Sequence, residues 1–345
     1  MNRILLFFLM LPAAARVSAQ LTIVPQVSSQ NYVTTTVYNP RQQLIAVAEY
    51  RVPRLAFWDA RSGLKVHTLN LSAPVVDLAV SPDGAWFVAC AENGQVSVVN
   101  SESLEVHRSF DAALHAGEYG VVIMERMPVV FVSRDEFVFA RYAGSISLPK
   151  ANPAGETVTK VERSDKTVQL SLYSIPLRKE SAIGTVDKLP LALSWDPASG
   201  QVIAAGEQGI ARMHRGSGLW TPFVNDSLDV SRFNEPRFGW SDDRSTLFVV
   251  NKEQNLQLYD TRSGKRRRSL PNVFSADFIG RDSLLYQAAD RTLHLLSLKT
   301  GAENPFPNFT GAQPWSYAWY DYGPGVRGAM TPNGPVTFGL TAGTV

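Results

Sequence analysis

Residues 75–91 read VVDLAV-SPDG-AWFVACA: an apolar run from Val75 to Val80, the turn Ser81-Pro82-Asp83-Gly84, and a second apolar run from Ala85 to Ala91. Proline presets φ at the second turn position, aspartate can cap the turn and glycine takes a positive φ. The chain therefore reverses here and lays one strand beside the other. Short β-rich runs bounded by Gly, Pro, Asn, Asp and Ser recur along the whole sequence, and helical periodicity is almost absent. The class is all-β.

The same strand-turn-strand unit returns at Asn39-Pro40, Ser133-Arg134-Asp135, Asp196-Pro197 with Gly200, Ser241-Asp242-Asp243, Gly280-Arg281-Asp282 and Gly323-Pro324-Gly325. Aligned on residues 40, 82, 135, 197, 242, 281 and 325, the turns are spaced by 42, 53, 62, 45, 39 and 44 residues. Most of these intervals match the roughly 40–45 residues of a four-stranded propeller blade. The two long intervals contain an extra connection at 112–127 and a polar insertion at 144–166, with Pro149, Asn152, Pro153 and Gly155. A second marker repeats out of phase with the first. Trp58-Asp59-Ala60-Arg61-Ser62-Gly63 returns as Tyr259-Asp260-Thr261-Arg262-Ser263-Gly264, and more loosely at Asn100 to Ser103 and at Leu298 to Gly301.

These residues resemble a known family. Ser81-Pro82-Asp83-Gly84 and Trp58 to Gly63 are similar to WD40 repeats, while Phe87 to Asn100 and Phe248 to Asp260 resemble the YVTN variety of propeller repeat. The chain has no Gly-His dipeptide, so its blades must be held together without the usual WD40 tetrad. Blade cores are expected at 32–70, 74–111, 128–186, 190–224, 236–271 and 273–306, followed by strands at 315–321, 326–331 and 335–342. The run Leu21 to Gln26 has no partner of its own. It is expected to supply the outer strand of the last unit, closing a seven-bladed β-propeller that leaves only short protected edges.

Residues 1–19 have the layout of an export signal: Arg3, an apolar run from Ile4 to Leu11, Pro12, then small residues ending at Ala19. Residues 20–345 would form a single propeller domain, periplasmic or extracellular and a monomer. The apolar run is too short to span a bilayer, so no membrane insertion is expected. Removing Arg3 and Arg16 lowers the 33 basic residues to 31, equal to the 31 acidic ones. A neutral chain has no global attraction for nucleic acid. Cys90 is the only cysteine, lies in an apolar strand-like run, and is expected to be a small core residue.

The sequence offers little catalytic chemistry. Of His67, His107, His115, His214 and His294, none has a second metal ligand at a diagnostic spacing. Ser81 and Ser241 lack a nucleophile-elbow context. Phosphate-binding glycine motifs are absent. Asp226 and Asp229 do not fit a calcium loop. Lys265-Arg266-Arg267-Arg268 enters an expected outer strand, where charge guards an edge. Trp58, Trp86, Trp195 and Trp240 are expected to pack between blades, and so are Trp315, Tyr317, Trp319 and Tyr320. No cofactor, metal or catalytic residue is expected. The family resemblance implies binding through connections between blades and loops joining second and third strands. Those positions include Tyr50, Arg51, Arg54, His115, Tyr119, Arg232, Glu235, Arg237 and Trp315, a mix of aromatic and arginine side chains of the kind enriched at interface hot spots. The expectation is a non-catalytic scaffold that binds a protein or small ligand. The alternatives are a lactonase-like propeller hydrolase with a channel metal, or a sensor attached to an effector domain.

Overall fold

The computed structural model describes residues 33–49, 51–112, 127–142, 168–186, 190, 192–206, 209–214, 218, 220–224, 237–241, 243, 245–251, 253–278, 282–290, 292–305, 326–331 and 334–339. Every regular element in them is a β-strand. The first sheet is β1 (Val33–Asn39), β2 (Leu44–Glu49), β3 (Arg54–Asp59) and β4 (Lys65–Asn70), and the second is β5 (Val75–Val80), β6 (Trp86–Ala91), β7 (Gln95–Asn100) and β8 (Val106–Asp111). The third is β9 (Val129–Phe131), β10 (Glu136–Tyr142), β11 (Val168–Ser174) and β12 (Lys179–Val186), and the fourth is β13 (Ala192–Asp196), β14 (Gln201–Gly206), β15 (Gly209–His214) and β16 (Trp220–Val224). The fifth is β17 (Arg237–Trp240), β18 (Thr246–Val250), β19 (Leu256–Asp260) and β20 (Arg266–Leu270), and the sixth is β21 (Val273–Phe278), β22 (Ser283–Ala288), β23 (Leu293–Ser297) and β24 (Glu303–Pro305).

Within each sheet the strands pair antiparallel in chain order. First strands of successive sheets lie side by side, β1 by β5, β5 by β9, β9 by β13 and β17 by β21. This radial arrangement is a β-propeller, and its sheets match the first six expected blade cores to within about three residues at either end. Tyr142 pairs with Val168, so the insertion expected at 144–166, which lies outside the described residues, joins the second and third strands of the third blade.

The expected seventh blade is a correction: the propeller has six blades. Among the described residues, the last stretch forms only the two-stranded sheet β25 (Val326–Thr331) and β26 (Gly334–Gly339), which lies against β21 and β22. The strands expected at 21–26 and 315–321 lie outside the described residues. The miscount comes from counting turn sequences such as Gly323-Pro324-Gly325, which reverse a chain whether or not two more strands follow. A blade also needs a turn from its third to its fourth strand. That turn carries a residue at positive φ in all six blades: Gly63, Leu104, Arg178, Gly218, Gly264 and Gly301. The sequence marker is expected at four of these turns; the positive φ recurs at all six, with Leu104 and Arg178 standing where the others have glycine.

The core lies between the sheets, because a blade alone cannot cover both of its apolar faces. Each junction between consecutive blades, from the first to the sixth, has its own buried cluster. Leu55, Phe57, Leu78 and Phe87 fill the first junction, and Val88, Val98, Phe137 and Phe139 the second. Val138, Leu170, Val202 and Met213 fill the third, Ile203, Ile210, Leu247 and Tyr259 the fourth, and Phe248, Leu258, Leu284 and Leu296 the fifth. Middle strands such as β6 and β18 are buried almost throughout, whereas the outer strands β4, β8, β20 and β24 are mostly exposed.

Candidate functional site

The hairpin between β2 and β3 shapes the described part of the expected binding face. β2 ends on Glu49, and Val52 N–H donates back to the Glu49 carbonyl at 3.3 Å while Arg54 N–H donates to the Val52 carbonyl at 2.8 Å. This tight path puts exposed Arg51 at a φ of 58°. Arg54 opens β3, and its guanidinium donates to Glu49 Oε2 at 2.8 Å. The Glu49 side chain is only 7% exposed against 34% for Arg54. A nearly buried carboxylate needs such a partner, since an unpaired charge there would carry the full cost of desolvation. Glu49 is not among the expected face residues, although the sequence shows it as a carboxylate ending an apolar strand five residues before an arginine.

Of the other expected face residues, Arg237 opens β17 with its backbone opposite Val250. Tyr50, His115, Tyr119, Arg232, Glu235 and Trp315 lie outside the described residues, as do Asp226, Asp229, Tyr317, Trp319 and Tyr320. The structure thus brings together Arg51 and Arg54.

The opposite face is closed by turns that tie blade to blade. Ser81 Oγ donates to Asp83 Oδ1 at 2.8 Å and accepts Trp86 N–H at 3.0 Å, so Ser81 caps a turn. Ser241 does the same with Asp243 at 2.8 Å and Thr246 N–H at 3.0 Å. Gly84, at φ 69°, offers its carbonyl to Asn39 Nδ2 of the first blade at 2.8 Å and to Ser101 Oγ at 2.5 Å. A Cβ on Gly84 would collide with the Asn39 side chain. From the third blade, Arg134 pairs with Asp83 at 2.9 Å, and Asp135 accepts the Trp86 indole N–H at 3.1 Å. Burial pushes the Asp83 carboxyl up, but the Ala85 N–H, the Ser81 hydroxyl, Arg134 and Arg41 together bring it below its ordinary value. These contacts tie the second blade to both of its neighbours.

Three histidines and Cys90 make packing contacts. His107 packs on Trp86 with ring centroids 5.1 Å apart, and His67 lies 6.1 Å from Phe57. His294 stacks on Tyr286 at 5.1 Å, with its Nε2 2.7 Å from Thr292 Oγ1. Cys90 is fully buried, and burial, then Asp77, pushes its thiol well up, so it is a poor nucleophile. Trp86, Trp195 and Trp240 pack against the buried clusters, as expected. Among the described residues, no group of three or more His, Cys, Asp or Glu side chains could hold a metal ion. No protein-family model matches the chain, and no curated protein is similar to it in sequence.

Proposed function

We propose that this β-propeller is an exported, non-catalytic scaffold of WD40-like type that binds a protein or small ligand on the face formed by its second-to-third-strand loops and blade connections. The observation that supports it is the hairpin at residues 49–54, where an exposed arginine at positive φ sits beside a second arginine fixed by a nearly buried glutamate. Backbone held in a sparsely populated region is enriched at binding sites. Arginine is also among the side chains that dominate interface energetics. The Glu49–Arg54 pair presents one guanidinium with little rotamer freedom left to lose on binding.

The test is capture from the envelope and secreted fractions of the producing cell by immobilised protein. The variant combines Arg51→Ala, Tyr119→Ala, Arg232→Ala and Trp315→Ala, leaving Arg54 to hold Glu49. The expected result is loss of the captured partner with unchanged circular dichroism and Tm. Capture equal to the parent protein would refute this placement of the face.

A further inference from the structure

We propose that the outer rim where the fifth and sixth blades meet binds a linear polyanion, an acidic polysaccharide bearing phosphate or sulfate groups. Among the described strands, β20 alone begins with three consecutive arginines, and it is the exposed edge of its blade. Edge protection accounts for part of this charge. Arg267 pairs with Asp260, and Arg268 crosses to the next blade, donating to Glu303 and, at 3.1 Å, to the Gly301 carbonyl.

Those pairings occupy Asp260 and Glu303. Asp260 is also bound by Ser263 N–H at 2.7 Å and Ser263 Oγ at 2.8 Å, and Glu303 by Tyr286 Oη at 2.9 Å. Arg262, Lys265 and Arg266 remain exposed, with no side-chain ion pair or hydrogen bond among the described residues. The bond from Arg268 to Gly301 lays the sixth-blade turn Thr300-Gly301 along the same rim, and that turn carries exposed Lys299. Asp282, whose carbonyl accepts Leu298 N–H at 2.8 Å, places one exposed carboxylate beside that turn. Among the described residues, Arg262, Lys265, Arg266 and Lys299 thus place four cations without a side-chain ion pair or hydrogen bond along one edge, against the single exposed carboxylate of Asp282.

The chemistry narrows the partner. Among the described residues, the exposed large apolar side chains Leu64, Val66, Val106 and Leu177 all belong to the first three blades, and none at this rim is available to insert into a lipid surface. Among the described residues, no exposed aromatic ring lies among these cations to stack bases, as single-stranded nucleic acid would require. Attraction without insertion or stacking suits a flexible charged chain. The choice of a polysaccharide over a nucleic acid rests on the proposed export of the protein.

The test uses the full chain and heparin, a sulfated polysaccharide. Three proteins are compared: the parent, a variant with R262S, K265S, R266S and K299S, and a control with R61S, R108S, R178S and K179S from the first three blades. Both variants lose the same charge. Four contacts that release counterions give a salt slope of about 3, so parent affinity should fall roughly 50-fold between about 50 and 200 mM salt. The rim variant should bind at least about tenfold more weakly at constant salt, while the control stays within about twofold of the parent.

Equal losses in both variants, or no loss in the rim variant, would overturn the proposal. So would tighter binding of phosphatidylglycerol vesicles or oligo-dT through the same four cations. A Tm matched to the parent shows that the rim variant is folded. Partner capture on the loop face should survive in it, and heparin binding should survive in the loop-face variant, so the two readings fail separately.

Discussion

Six structurally equivalent positions, one in each third-to-fourth-strand turn, test how far a single backbone conformation governs the sequence. Glycine occupies four of them and accepts the positive φ without a Cβ penalty. At Arg178, φ is 52° and the side chain is exposed, so the left-handed conformation is imposed on a residue that gains nothing visible from it. That conformation costs about 1–2 kcal/mol for a non-glycine residue, partly offset by the greater freedom glycine has when unfolded. Arg178→Gly should therefore stabilise the protein by about 0.5–1 kcal/mol, seen as a higher urea midpoint. A lower midpoint would contradict the account. In the fifth-blade turn, Ser263 N–H, then the Ser263 hydroxyl, and beyond them Arg267, hold Asp260 down to about 2. A carboxyl lowered from about 3.9 contributes stability that is complete above that value and fades as the pH falls toward 2. Asp260→Asn keeps the acceptor, as Asn100 does at the equivalent turn with 2.9 Å bonds to the N–H groups of Glu102 and Ser103, but has no charge to lose. Urea melts from pH 5 to pH 2 should show the parent losing stability relative to this variant as the pH falls; parallel curves would rule the coupling out.

Among the elements, β17 shows what a strand gives up to pack closely. Gly239 lies opposite Phe248 of β18, and a Cβ there would run into the Phe248 ring, whose Cζ would be 2.8 Å away. Glycine in a strand commonly marks such a close approach. Gly239→Ala should cost about 1–3 kcal/mol by displacing that ring from the fifth junction. The readout is a lowered Tm with a changed near-ultraviolet spectrum, and an unchanged Tm would show that the ring moves freely. Another recurring device is the register shift between third and fourth strands, at Phe57/Trp58, Val98/Val99, Leu170/Ser171, Ile210/Ala211 and Leu258/Tyr259. Such bulges bend and twist an edge, which discourages pairing with another sheet.

At the scale of the molecule, stability is shared among five described junctions, each contributed to by both flanking blades. Phe137 is fully buried in the second, with ring centroids 5.6 Å from Phe131, 5.9 Å from Phe139 and 5.3 Å from Tyr173. Phe137→Ala should cost about 3–5 kcal/mol. Because each blade hides the face of the next, the loss should move the whole unfolding transition. Tryptophan fluorescence and far-ultraviolet circular dichroism should then still report one midpoint, and separate midpoints would mean that the blades unfold independently.

Local chemistry along the chain was enough to determine the all-β class, the limits of the first six blades, the turn residues and the buried place of Cys90. These follow from side-chain alternation and from φ preferences, which neighbours in sequence set by themselves. The number of blades was decided by the tertiary structure, because a hairpin and half a blade begin with the same turn sequence and differ only in which strands join them. Arg51 and Arg54 could be picked out as candidates from residue type and position. That Glu49 anchors Arg54, that Arg134 reaches Asp83 and that Arg268 crosses to Glu303 depended on packing between strands and blades. The same packing separated the paired arginines of β20 from the cations left exposed, since a charge in sequence acquires a partner only when folding brings one within reach.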